Sequence, residues 1–466
     1  GNVASYGGGA SRGLIVNSIV RNNDASVNGG GLFQATGLSS LILSNSAAAS
    51  GGGVRAGSAS NCVIAGNSAA NGGGAEGARL VHCTVVSNSS ATASVENCDV
   101  VNSIVYFTSG GGVNQLDSTF TNSCTTPLPL GPGNISSDPQ LAGYRLTETS
   151  PCIDTGTNNV AGATDLDGGP RVVRGRTDIG AYEFQFRFVN IANPSPAFPY
   201  LTWSTAATNI QDAVDASIAG ALVLVSNGLY QTGGRVFGDG QTNRVVIDKP
   251  IAVRSVNGPA VTMIRGAQIP SVINGTSAVR CVFMTAGSLL SGFTITNGAT
   301  LEFGNGGGIH GAGVVSNCVI TGNSAGLFGG GVYGGKVVDS LIIGNRAGNR
   351  GGGGSNLEAH RCSVIANVGT STGGAYLSIL YDCLIANNQG LSTGGTEFSD
   401  AYNCTITGNS ATSSGTGGCR EGVIRNSIVV FNTGLSANYS STTLFTNSCT
   451  SPLPPGAGNI TANPLF

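Results

Sequence analysis

Hydrophobic positions along this chain come in short bursts with a fixed polar follow-up. SSLILSNSAAASGGG and SNCVIAGNSAANGGG are near-copies, and each holds a small residue, a branched aliphatic pair and an Asn five places after the small one. The small position is Ser18, Ser40, Cys62 and Cys83, then Cys318, Ser340, Cys362, Cys383, Cys404 and Ser427. The Asn position is Asn23, Asn45, Asn67 and Asn88, then Asn323, Asn345, Asn367, Asn388, Asn409 and Asn432. Spacings are 21 to 23 residues, and glycine runs such as Gly51–Gly53 and Gly329–Gly331 follow most copies. A fixed period of this length predicts a solenoid with one coil per repeat.

The residue types choose the solenoid. Each repeat carries one strand-length aliphatic run and no helix-length periodic segment. Leucine-rich repeats need several leucines per repeat, and helical repeats need about 33 residues or more. The expectation is an all-β fold, a right-handed parallel β-helix of about 21–22 residues per coil, with strands stacked about 4.8 Å apart. Equivalent Asn side chains then form a ladder, each amide bonding its neighbours above and below. Asn67 and Asn367 are expected in mid-stack.

The pattern breaks over 125–187 and resumes after it. The predicted order is coils over 1–124, an irregular closing module over 125–187 and a linker over 188–204. A capping helix over 205–220 and a second β-helix over 221–466 complete it. Within the helix, Ile210, Ala213, Val214 and Ile218 recur at helical spacing, with Thr208 as N-cap and Gly220 as stop. Such a helix would cover the open end of a β-helix core. Strands are expected at Leu222–Val225 and near 244–247, 251–256, 261–264 and 281–284. NSCTTPLPLGPGNISSDPQL (122–141) returns as NSCTSPLPPGAGNITANPLF (447–466), where Phe466 matches Leu141. The two halves therefore read as copies of one unit, about one and a half of which are present. The chain opens at Gly1 without Met, so a removed leader or a segment of a longer tandem array is expected, joined covalently or stacked end to end.

Three stretches resemble known families. Ser150-Pro151-Cys152-Ile153-Asp154, Asp165-Leu166-Asp167-Gly168 and Asp178-Ile179-Gly180-Ala181-Tyr182-Glu183 are similar to the choice-of-anchor Q module. That module closes right-handed β-helices in large bacterial surface and secreted proteins. There it precedes a C-terminal sorting signal, whereas a second β-helix follows it here. TNIQDAVDASIAGALVLVSNGLY resembles the opening segment of pectin-lyase-like β-helices, and the Asn and glycine repeats are similar to polymorphic outer-membrane-type surface proteins. These resemblances imply an extracellular or cell-surface location.

Charge narrows the function. Only 9% of residues are charged, the net charge is −2, and 21 Lys+Arg lie scattered, so no footprint for nucleic acid is expected. No apolar run is long enough for a membrane-spanning helix. A glycosidase needs two carboxylates across a cleft, and a lyase of this fold needs clustered acidic Ca²⁺ ligands with an Arg or Lys base. The acidic residues of the coils read as isolated. Asp382 and Asp400 are the nearest approach to a stacked pair. His82, His310 and His360 are the only histidines, with His82 and His360 at similar points of their coils but in different units. No enzyme is expected.

Twelve cysteines in a surface protein invite a disulfide reading. Cys62/Cys83 and Cys362/Cys383/Cys404 fill the small inward slot, where rung spacing exceeds the Cβ separation a disulfide wants. They read as buried free thiols. Cys124 and Cys152 flank the closing module and are the disulfide candidate; Cys449 is the equivalent of Cys124. Asp165 and Asp167, with Asp154 and Asp178 nearby, offer hard oxygen ligands suited to Ca²⁺, although Asp and Gly are equally turn residues; no other cofactor is expected. The composite expectation is a rigid structural protein of a fibre or surface layer, with self as partner. A glycan-binding adhesin is the alternative, carried by a faint stripe of Phe33, Tyr333 and Tyr376, and a carbohydrate-active enzyme is a more distant one.

Overall fold

The structure, a computed structural model, describes residues 1–466 apart from Ala161, Ser414 and Phe466. The equivalence of Phe466 with Leu141 therefore lies outside the described residues. Two compact units are present, Gly1–Phe184 and Gln185–Phe466.

Both units are parallel β-helices. In the first, parallel ladders of five, six and ten strands run through the coils; in the second they have eleven, ten, nine and five. The strands are mostly two or three residues long, and each pairs in register with its copy one coil away. Ile42 sits between Val20 and Ile64, Ile64 is followed by Val85, and Val85 by Val105. In the second unit the matching file runs Ile320, Ile342, Val364, Ile385, Ile406 and Val429. All of these except Val20 are at most 1% exposed, and each contributes about 1.5–3 kcal/mol of apolar burial. The aliphatic pair of every repeat is thus one inward rung and its neighbour.

The Asn positions line the interior of a bend as a continuous hydrogen-bonded stack. Asn45 Nδ2 donates to Asn67 Oδ1 at 3.0 Å, and Asn67 Nδ2 to Asn88 Oδ1 at 3.0 Å. The same acceptor oxygens also take the backbone N–H of the preceding Asn at 2.9 Å. The second amide hydrogen goes back to a carbonyl, from Asn67 to Ile42 at 2.9 Å. Asn323, Asn345, Asn367, Asn388, Asn409 and Asn432 repeat the arrangement, linked at 2.9–3.0 Å. Asn432 then donates to Asn438 Oδ1 at 3.1 Å, so the stack gains a rung only six residues further along the chain.

The small residue forms a second ladder. Ser103 Oγ accepts the Cys83 N–H at 2.9 Å, Ser340 Oγ that of Cys318 at 3.1 Å, and Cys383 Sγ that of Cys362 at 3.4 Å. The residue before it adopts a left-handed conformation, as at Asn61 (φ 52°), Asn102 (φ 48°) and Asn403 (φ 56°), which short polar side chains tolerate best. The third glycine of each run lies against the Asn stack. A Cβ at Gly53 would meet Gly74 O at 2.5 Å and Ile64 Cγ2 at 2.7 Å.

Several expectations shift. The helix spans Ile210–Asp215 only, capped by Asn209, whose side chain accepts the Asp212 N–H. At its C-terminal end, Lys249 Nζ donates to the carbonyls of Val214 at 3.0 Å and Ser217 at 2.9 Å. Ile210, Ala213 and Val214 are buried in the core of the second unit. A strand spans the boundary read between closing module and linker: Phe186–Val189 pairs with Leu222–Val225 and opens the eleven-stranded sheet. Asp382 stacks on Asn403, whose Nδ2 donates to Asp382 Oδ1 at 3.1 Å, while Asp400 pairs with Ile379. His82 occupies the left-handed bend (φ 51°) and His360 ends the strand Glu358–His360, so the two are not equivalent. Some of the acidic residues of the coils meet a cation one coil away: Arg361–Asp339 at 2.7 Å, Lys336–Glu358 at 2.8 Å and Arg55–Glu76 at 3.2 Å.

Candidate functional site

The closing module of the first unit is a strap along the bends of the coils. Asn61 Nδ2 donates to Thr164 O at 2.9 Å, the Gly180 N–H to Asn102 O at 2.8 Å, and the Ala181 N–H to Thr84 Oγ1 at 3.0 Å. Its acidic residues hold backbone. Asp165 Oδ1 accepts from the amides of Asp167 and Gly169, and its Oδ2 from that of Glu183. Asp178 accepts from the amides of Asp154 and Phe184. Asp167 forks with the guanidinium of Arg145. Asp165 and Asp167 thus face amides and a guanidinium, and among the described residues no group of three or more His, Cys, Asp or Glu side chains could share a metal ion.

Beneath the strap lies Arg171, fully buried. It donates to Glu183 Oε1 at 3.1 Å, Asn61 Oδ1 at 2.6 Å and the carbonyls of Gly180 and Ala181. Glu183 is the carboxyl that meets this guanidinium, while Asp165 and Asp178, also buried, spend their oxygens on backbone amides. Burial pushes Asp178 and Glu183 above the usual carboxylate range. Burial, helped by the Arg171 charge, holds His82 down at about 3.

All twelve cysteines are unbridged and buried. Cys124 and Cys152 nevertheless stand thiol to thiol: a hydrogen bond to Cys152, then burial, drives the Cys124 thiol far up. Burial alone pushes Cys281 and Cys419 up to about 12, which leaves them inert as nucleophiles.

The open surface with the most chemistry lies in the second unit. Phe237, Phe283, His310 and Tyr333 form a file of rings, with centroids 5.2, 5.4 and 5.0 Å apart. The register of the nine-stranded sheet places it there, pairing Phe283 with His310 and His310 with Tyr333. Phe237 joins from the hairpin Arg235–Phe237, which folds back on Gln241–Ile247. The hairpin tip carries Asp239, whose carboxylate meets Arg280 Nη2 at 2.6 Å and His310 Nδ1 at 3.3 Å. Burial would raise this carboxyl, but His310 and Arg280 outweigh it and hold it well below the usual range. Two cavities adjoin the file and share His310 in their walls. One, of 470 Å³, is lined by Phe283, Met284, Tyr333 and Asn356; the other, of 420 Å³, by Asp239, Glu302, Phe303 and Asn305.

Of the three aromatics read from sequence, Tyr333 belongs to this site. Tyr376 stands in the same file two coils on, with Ser355 between, and pairs with Arg350 at 4.9 Å. Phe33 packs on Tyr6 in the first unit. Phe283 and Asp239 escape a reading by period because the coils of 221–290 are irregular. His310 follows the glycine run Gly306–Gly308 as Tyr333 follows Gly329–Gly331, so its place in the file carried the same periodic signal.

No family model matches the chain, and no curated protein matches it. Solved structures with a likeness to it include pectate lyase Pel9A, 13% identical over 60% of this chain and 78% of that one, TM-score 0.38. Pectin methylesterase PemA from Erwinia chrysanthemi is 12% identical over 61% and 92%, TM-score 0.31. The Dettilon tailspike protein is 13% identical over 54% and 64%, TM-score 0.28. Among the described residues no helix is long and apolar enough to cross a membrane.

Proposed function

We propose that this chain is part of an extracellular or cell-surface structural protein, its coils serving as a stiff spacer within a tandem array. One observation carries the reading: the residues that repeat are spent on the fold. Asn, Ser or Cys, and Gly recur because each holds one coil to the next. The duplicated closing segment supports the array. Asn134 Oδ1 accepts the Ser123 N–H at 3.0 Å, and its copy Asn459 accepts that of Ser448 at 3.0 Å. The resemblance of the strap to the choice-of-anchor Q module points to a bacterial surface. Immunogold labelling of native cells is the test, with label expected along filaments or a surface layer. Label confined to the cell interior would overturn it.

A second reading, the glycan-binding adhesin, rests on the ring file and its two cavities, since aromatic walls with convergent polar groups are how such sites are built. On either reading the chain is not an enzyme and needs no cofactor. Incubation with a panel of polysaccharides is expected to release no new reducing ends or unsaturated products. Calcium and chelator are expected to leave the melting temperature of the native chain unchanged.

A further inference from the structure

The charge of the second-unit site narrows what it can hold; the argument rests on the glycan-binding reading. Two carboxylates face the 420 Å³ cavity, Asp239 and Glu302. Asp239 stays ionised because Arg280 and His310 hold it so, despite partial burial. Among the described residues that line either cavity there is no lysine or arginine. Arg280, which contacts Asp239, is fully buried and already donates to Asn243 Oδ1, Gly306 O, Asn305 O and Asp239. An anionic ligand would meet the carboxylate of Glu302, with no lysine or arginine among the described lining residues to offset it.

The apolar side is equally specific. Phe303 is 75% exposed at the lip of that cavity and belongs to none of the described ring pairs. Tyr333 and Phe283 wall the neighbouring cavity, and His310 forms the ridge between. Ring faces suit the C–H faces of a pyranose. Carboxylates accept hydrogen bonds from hydroxyls and attract an ammonium group.

We propose that this cleft binds a non-anionic sugar chain, neutral or amino-bearing, spanning the two cavities across His310, and that it rejects uronates. The test is calorimetric titration of the full chain with oligosaccharides of glucose, glucosamine and galacturonate of equal length. Binding of the glucose or glucosamine series is expected, with galacturonate weaker. Phe303→Ala should weaken binding about tenfold, the loss of one stacking face, with an unchanged melting temperature because the side chain is exposed. Glu302→Gln should narrow the discrimination against galacturonate. Galacturonate binding as tightly as the other two, or binding indifferent to Phe303→Ala, would overturn the proposal while leaving an adhesin in place. Failure of all three series to bind would instead remove the glycan-binding reading itself.

Discussion

Asn67 gives both its backbone N–H and its side-chain amide to a single atom, Oδ1 of Asn88, at 2.9 and 3.0 Å. One oxygen thus closes the bend of one coil and fixes its distance to the next. Repeated down each unit, this coupling ties every coil to its neighbours through the same bend.

Removing one rung strands its neighbours. Asn367 is fully buried, takes two hydrogen bonds from Asn345, and donates to Asn388 and Ile342. Asn367→Ala is expected to cost about 1–3 kcal/mol, because the orphaned donors and acceptors have no water to turn to. Asn367→Asp should cost more, since it places a charge in the stack and loses a donor. Denaturant unfolding of the full chain checks both. Unchanged midpoints would refute the ladder as a source of stability.

The glycine beside the rung is constrained by space. In Gly353→Ala the new Cβ would meet Val364 Cγ1 at 2.6 Å and Gly374 O at 3.0 Å, close to Asn367 Nδ2 at 3.1 Å. One of these must move, and the carbonyl belongs to the next coil. A loss of about 1–3 kcal/mol is expected, read in the same unfolding experiment. Gly143→Ala, in the strap, has open space at its Cβ and only a left-handed φ of 66° to strain it. It should cost less.

The thiols separate into two classes under oxidation. Cys124 and Cys152 share a thiol–thiol hydrogen bond across the irregular segment that the strap must close. Cys362, Cys383 and Cys404 are linked in the same way, but they are stacked in register one rung apart, where the Cβ separation exceeds what a disulfide wants. Peptide mapping of non-reduced, oxidised protein is expected to find one bridge, Cys124–Cys152. A mapped pair among Cys362, Cys383 and Cys404 would overturn this division.

What could be read from the chain, and what could not, follows from separation in sequence. The Asn stack was legible because each rung recurs at the coil period; Asn438 was not, since it enters the stack only six residues after Asn432. The strap was legible as an irregular segment. Its docking was not, because Asn61 meets Thr164 and Arg171 across more than a hundred positions, and no periodicity encodes such a pair. Phe186–Val189 was passed over because four alternating residues beside a Pro-rich stretch read as easily as linker. Asp239 and Arg280 reach His310 from irregular coils, where the repeat that organises the rest of the chain gives no register to count from.

The buried charges under the strap should make its grip depend on pH. Burial raises Asp178 to about 7 and Glu183 to about 9, the second also through the charge of Asp178. The folded state therefore holds protons that the unfolded chain releases near pH 4. Where the native state binds more protons, stability falls as pH rises. This contribution is whole below about pH 4 and is lost as pH climbs through the two raised values. His82 acts oppositely: lowered to about 3, it contributes stability present above its ordinary 6.5 and lost as pH falls toward its folded value. Arg171 can balance one carboxylate, so the second ionisation in the alkaline limb is the costly one. Hydrogen exchange at the amides of Asp154 and Phe184, both held by Asp178, reads the strap locally. After correction for intrinsic rates, protection there is expected to fall between about pH 6 and about pH 9 by up to roughly 1.4 kcal/mol per unit for each proton lost. Glu183→Gln should flatten that fall, since the amide cannot ionise. Protection that rises with pH, or a fall that Glu183→Gln leaves as steep, would show that the carboxyls are ionised at neutrality and that the strap is held some other way.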